Sequence, residues 1–163
     1  MHKALELAAE AARNNEVPVG AVVVINGECV AAASNAPITS CDPTAHAEVR
    51  ALRQACAQIG NYRLQNATLY VTIEPCTMCV GAMIHARVSR LVFGAREPKA
   101  GAVVSQNSLL AHAAMNTTVS FDEGVCAEQC SQIMSDFFAL RRAKKKALKA
   151  RSSIDPAAQN PDN

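Results

Sequence analysis

A chain of 163 residues, half of them hydrophobic and none of them Trp, is long enough to bury one core without disulfides or other staples. Its seven cysteines are an odd number, which excludes complete internal pairing, and no apolar run approaches the length of a membrane span. The net charge of +2 hides an asymmetry: residues 1–136 hold nine Lys or Arg against twelve Asp or Glu, whereas residues 137–163 hold seven against two. The start of the chain lacks a signal peptide's basic and apolar regions, so a soluble, cytoplasmic protein is expected.

Ala4, Leu5, Ala8, Ala11 and Ala12 recur at spacings of three and four and predict an amphipathic helix over residues 2–14. Val19 to Ile25 is apolar and β-branched, and the hairpin dipeptide Asn26-Gly27 turns it into a second strand from Glu28 to Ala33. A loop with Asn35, Pro37 and Asp42 leads into a helix that Asp42 is expected to cap, with Pro43 in its first turn. That helix runs to Ile59 and closes at Gly60-Asn61. Thr68 to Ile73 reads as a buried strand feeding Pro75 and a helix to Ala86, and Arg90 to Ala95 as the next strand. Residues 97–116 read as irregular with one short helix near Ser108 to Ala113, Thr117 to Phe121 as an edge strand, and Val125 to Ala150 as a long helix.

Helix alternating with strand predicts a three-layer α/β/α sandwich around a central mixed five-stranded sheet. The domain is expected to span residues 1–150, followed by a polar, Pro-bearing disordered tail over 151–163. Cys29, Cys56, Cys126 and Cys130 fall in apolar stretches and are expected to be small buried hydrophobes, with Cys41 a loop bystander.

The chemistry concentrates in two stretches, Asp42-Pro43-Thr44-Ala45-His46-Ala47-Glu48 and Pro75-Cys76-Thr77-Met78-Cys79. Two cysteines separated by two residues have the spacing of a thiolate metal site, and His46 is a third ligand of the kind zinc accepts. A C-x-x-C on its own also suits a redox pair or half of a zinc ribbon. Pro75, the upstream His-x-Glu and the lack of a second C-x-x-C favour zinc, with the fourth position left to water. His46 and Glu48 diverge by roughly 200° in mid-helix, so both reach one metal only from a helix start. Two positive helix ends favour deprotonated thiolates, the metal brings the pKa of water from 15.7 to about 7, and Glu48 is the expected proton shuttle. His2, His85 and His112 have no comparable company.

These motifs form the H-x-E…P-C-x-x-C pattern of zinc deaminases acting on nucleobases. With Val17-Pro18-Val19-Gly20-Ala21-Val22, Tyr70 to Cys79, Gly81-Ala82-Met83-Ile84-His85-Ala86-Arg87 and Phe93-Gly94-Ala95-Arg96, the chain closely resembles the bacterial tRNA-specific adenosine deaminases, of the cytidine deaminase-like superfamily. The resemblance runs in order from residue 2 to residue 150. It implies zinc-dependent hydrolytic deamination of adenosine to inosine at the wobble position of the tRNA anticodon, one Zn²⁺ per subunit, and a homodimer.

The resemblance also places Asn35 at the pocket wall against the nucleoside and Glu97 and Lys99 on a loop beside the target's neighbouring nucleotides. It makes Glu74 part of the strand end rather than the catalytic acid, and sets Phe138 at the border of the RNA groove. Glu97 stands where many members carry Asp, and Ala36 where some carry a basic residue. Seven cations from Arg141 to Arg151 exceed what a helix end needs, so Arg141 and Arg142 are expected to meet the phosphates of an anticodon stem-loop. Two alternatives remain open: a deaminase of a free base or nucleoside, guanine or cytidine in type, and a non-enzymatic zinc module that binds RNA.

Overall fold

In the computed structural model, which describes residues 1–154 and side chains as far as Ala150, the sheet is built outward from a hairpin. Asn26 and Gly27 adopt φ of 52° and 83°, the pair of positive angles a tight two-residue turn requires. They join β1 (Gly20–Ile25) to β2 (Glu28–Ser34) antiparallel, with a register shift between Val23 and Val24. On its other side β1 pairs antiparallel with β3 (Ala67–Ile73). β3, β4 (Arg90–Ala95) and β5 (Ser120–Glu123) then run parallel, giving five strands in the order β2-β1-β3-β4-β5.

Helix α1 (His2–Arg13) and the final helix α5 (Ala127–Ile154) contact each other and cover one face of the sheet. α3 (Ala47–Ile59) covers the other face and packs against α4 (Thr77–His85). The expected three-layer sandwich is therefore present. Its core is made of strand residues such as Val23, Leu69, Val71, Leu91 and Phe93, all fully buried, against Ala51, Ala55, Val80 and Met83 of α3 and α4, while Ala4 and Ala8 of α1 are buried on the other face, beside Gly20. Small residues let the layers close up: a Cβ on Gly94 would lie 2.4 Å from Cys130 Sγ on α5. Among the described residues no helix is long and apolar enough to cross a membrane.

Four local expectations need correction. The first concerns α3, which opens at Ala47 rather than after Asp42. Asp42 Oδ1 accepts from the Thr44 N–H and the Thr44 hydroxyl, both at 2.7 Å, so it closes its own turn instead of capping a helix. The second is the loop before it, which contains a four-residue helix, α2 (Pro37–Ser40), led by Pro37 and hydrogen-bonded through the Thr39 N–H to Glu16 Oε1 at 2.7 Å.

The third is the edge strand, which lies at Ser120–Glu123 rather than Thr117 to Phe121. The strand is exposed along its length and is tied across the ladder by the Arg90–Asp122 ion pair at 2.7 Å. The fourth is the cysteines: of those expected to be buried, only Cys130 is, while Cys29 at the hairpin end is exposed and Cys56 and Cys126 are partly buried. Leu109–Ala111 form a 3₁₀ turn where a short helix was expected, and α5 continues past Ala150 to Ile154. The rest of the segment expected to be disordered, 155–163, lies outside the described residues.

Candidate active site and metal centre

His46 and Cys76 are the N-cap residues of α3 and α4, each in extended backbone (φ −68°, ψ 150° and φ −76°, ψ 172°), and Cys79 is three residues further along α4. Two helix starts thus bring three donors from distant positions to one point. His46 Nδ1 lies 3.5 Å from Cys79 Sγ and 3.7 Å from Cys76 Sγ, and the two sulfurs are 3.7 Å apart. For zinc with Zn–S near 2.3 Å and Zn–N near 2.0–2.1 Å, tetrahedral angles separate two sulfurs by about 3.8 Å and sulfur from nitrogen by about 3.6 Å. The three donors therefore already occupy three corners of a zinc tetrahedron. Among the described residues no other His, Cys, Asp or Glu joins this cluster, so these side chains leave the fourth corner to a non-protein ligand.

The protons of the cluster reflect its crowding. A hydrogen bond from Cys79, opposed by burial and helped by His46, lowers Cys76 to about 4. The same pairing with Cys76, together with burial and the charge of Glu48, pushes Cys79 upward. His46 is raised by its hydrogen bond to Cys76, against burial. Glu48, in the first turn of α3 and 3% exposed, is raised chiefly by burial. A buried carboxylate with a raised affinity for protons beside three metal donors is equipped to take a proton and return it.

Asn35 is buried, and its Oδ1 accepts from the Ala47 N–H at 2.8 Å. It thereby satisfies the first N–H of α3, the role expected of Asp42, and fixes the turn that carries His46 and Glu48. Glu97, Lys99, Phe138 and Arg142 come together along a cleft of about 530 Å³ that also includes Ile73, Ala95 and Arg96. Arg141 lies over the Phe137 ring, 5.7 Å from its centroid, and lines a different groove of about 910 Å³ between α1, α2 and α5. The residues expected to meet substrate thus fall into three places: Asn35 at the metal centre, four residues on the cleft, and Arg141 on the groove, which Phe138 and Arg142 also border.

Lys144 and Lys145 of the expected basic stretch line this groove, but sequence reasoning missed Arg13 and Ile38, because they reach it from α1 and α2, far from that stretch in the chain. It also missed Glu16, which is 2% exposed and accepts from the Thr39 N–H at 2.7 Å and its hydroxyl at 2.9 Å. The only signal was a lone charge between a helix and the apolar run at Val17. Glu74 has the structural role expected of it, with its carboxylate bonded to the chain at Glu97 and at 103–105.

Comparison with known proteins follows the same lines. The model of the MafB19-like deaminase family matches residues 1–146. The chain is 50% identical over 151 residues to the tRNA-specific adenosine deaminase of Haemophilus influenzae, covering 92% of this chain and 87% of that one. It is 44% identical over 149 residues to the tRNA-specific adenosine deaminase of Bacillus subtilis, covering 91% and 92%. A structure solved in work on A-to-I editing by tRNA:A34 deaminases at the wobble position of transfer RNA superposes with a TM-score of 0.80 at 40% identity, over 82% of this chain and 96% of that one. With the metal donors, the buried Glu48 and this similarity along most of its length, the chain belongs to the MafB19-like deaminases and to the family of tRNA-specific adenosine deaminases.

Proposed function

We propose that this chain is a cytoplasmic, zinc-dependent deaminase that converts adenosine to inosine at the wobble position of a tRNA anticodon. The observation that carries the reading is the donor triangle of His46, Cys76 and Cys79, 3.5–3.7 Å on each edge, with buried Glu48 beside it. Zinc, one ion per subunit, would be held by these three side chains, and when bound it supplies the Lewis acidity that makes water a nucleophile near neutral pH. Glu48 takes the proton released from the attacking water at its carboxylate, passes it to a ring nitrogen of the adenine, and serves the departing ammonia in the same way. Its burial raises its proton affinity and suits it to that exchange.

Asn35, its carbonyl oxygen occupied by α3, turns its NH₂ group to the nucleoside. The base enters unstacked, which costs little in an anticodon loop that is already single stranded. Phe138, 38% exposed, offers a stacking face in the cleft, where Glu97, Lys99 and Arg142 meet the neighbouring nucleotides. Arg141 and the groove cations Lys144 and Lys145 follow the phosphates. The working unit is a homodimer. Support comes from an apolar hollow of about 410 Å³ behind the metal helices, lined by Val49, Leu52, Cys56, Tyr62 and Ala82, with Tyr62 64% exposed at its edge.

The deciding assay offers an anticodon stem-loop, free adenosine, guanine and cytidine to the zinc-loaded protein, followed by nuclease digestion and nucleoside analysis. Inosine from the stem-loop is the expected product. Product from the free compounds alone would replace this reading with a free-base or nucleoside deaminase. RNA binding with no product from any substrate would leave a zinc-bearing binding module.

A further inference from the structure

Glu74 follows the last residue of β3, directly before Pro75 and Cys76, and is 2% exposed. A carboxylate so buried requires hydrogen bonds on both oxygens, and five donors supply them. Oε1 accepts from the N–H groups of Val103 at 3.0 Å, Val104 at 2.7 Å and Ser105 at 2.9 Å. Oε2 accepts from the Glu97 N–H at 3.1 Å and from the Ser105 hydroxyl. Gly101 lies over the same group, and a Cβ there would come within 2.3 Å of the carboxylate. The loop also touches the metal strand itself: Gly101 forms a single antiparallel bridge with Cys76, and the Ala102 N–H donates to the Pro75 carbonyl at 2.9 Å.

One carboxylate therefore closes residues 97–105 into a ring fastened where Cys76 opens α4. The cleft-facing residues hang from that ring. Glu97 is tied by its N–H to Glu74, and its own Oε1 accepts from the Lys99 N–H at 3.0 Å, so Lys99 is two hydrogen bonds from the anchor. Only an acceptor satisfies this site. Gln would turn an NH₂ group toward two or three of the five donors in either orientation, and Asp is one methylene too short to serve both ends.

We propose that Glu74 is a positioning residue for substrate capture: it holds the loop carrying Glu97 and Lys99 at the mouth of the cleft, and takes no part in holding metal or moving protons. The proposal rests on the reading of the cleft as the contact for nucleotides flanking the target. It separates two functions that meet within three residues, since Cys76 serves the metal and Glu74 the loop.

The test compares Glu74→Gln, Ser105→Ala and Lys99→Ala, singly and combined, for zinc content and for kcat and KM on an anticodon stem-loop. E74Q is expected to keep one zinc per chain and a kcat within about threefold of the parent while KM rises about tenfold. S105A, which removes only the hydroxyl donor, is expected to raise KM by about two- to threefold. K99A should raise KM in the parent but add little on E74Q, because a residue that has lost its position has little left to lose. An unchanged KM in E74Q would overturn the proposal. So would zinc, kcat and KM failing together, or effects of E74Q and K99A that simply multiply. If K99A alone is silent, the reading of Lys99 on the cleft fails, while the KM of E74Q still decides on Glu74. Should E74Q not fold, the KM of S105A and its cycle with K99A decide the matter.

Discussion

The metal centre and the final helix hold their charges in opposite ways. Around the centre, Glu48 is 3% exposed, Asn35 pins the first N–H of α3, and the donor atoms lie within 3.7 Å of one another. Along α5 from Arg141 to Lys149 every side chain is exposed, and even Leu148 is 65% so. Bond-making chemistry needs groups held to a fraction of an ångström, which only packed helix starts and satisfied hydrogen bonds provide. Attraction to a phosphate backbone is long-ranged and tolerant of geometry, so long, exposed cations suffice. Catalysis and capture should therefore fail separately when each region is altered.

The largest effect is expected from Cys76→Ala, which removes one corner of the metal site. Zinc content should fall from one per chain to near zero and turnover to the uncatalysed background, while stem-loop binding measured by fluorescence anisotropy persists. Glu48→Ala should retain zinc and bind the stem-loop as before, yet lose about 10²–10⁴-fold in kcat. Full turnover in that variant would remove Glu48 from the mechanism.

Replacing Arg141 and Arg142 together by Ala is expected to act on the other side of the comparison. Affinity for the stem-loop should weaken, the slope of log K against log salt should shrink by about 1.4–1.8, and kcat at saturating substrate should hold. An unchanged slope would mean that these cations do not meet phosphates.

The smallest effect probes α2, whose Ile38 borders the groove. Burial alone would raise Glu16, but the N–H and hydroxyl of Thr39, the Ile38 N–H and Arg50 outweigh it and hold the carboxyl below its usual 4.5. Because the folded value is the lower one, this stabilisation is complete above about 4.5 and is lost as pH falls through the folded value. Thermal melts of Glu16→Gln should sit a few degrees below the parent at neutral pH, with the gap closing in acid. A gap that stays constant from pH 7 to pH 3 would deny Glu16 that role.

Much of this was legible in the sequence, for reasons that differ by region. The hairpin at Asn26-Gly27, the end of α3 at Gly60 and the strand Arg90–Ala95 are written in local backbone preference, and they fall where expected. The candidate donors His46, Cys76 and Cys79 also come together, at the two helix starts from which side chains two or three residues apart can reach one point. The opening of α3 was misread because Asp42 suits either a helix cap or its own turn, and the choice fell to Asn35, which sits twelve residues from Ala47. β5 begins three residues further along than the sequence suggests because register with Arg90–Phe93 sets its position, which no local signal shows.

Taken by itself, the order of residues pointed to the sandwich, to His46, Cys76, Cys79 and Glu48 as candidate site residues, and to the basic end of the chain. Those features depend on periodicity, on spacing within a turn or on composition, all of which survive without knowledge of the fold. Only the tertiary structure decided that Glu74 and Glu16 fasten loops 23 to 31 residues away, and that Phe138 and Arg142 share a cleft with Glu97 and Lys99. A buried carboxylate looks in sequence like any other Glu. Its partners are backbone N–H groups, which every residue carries, and only packing determines which of them it meets.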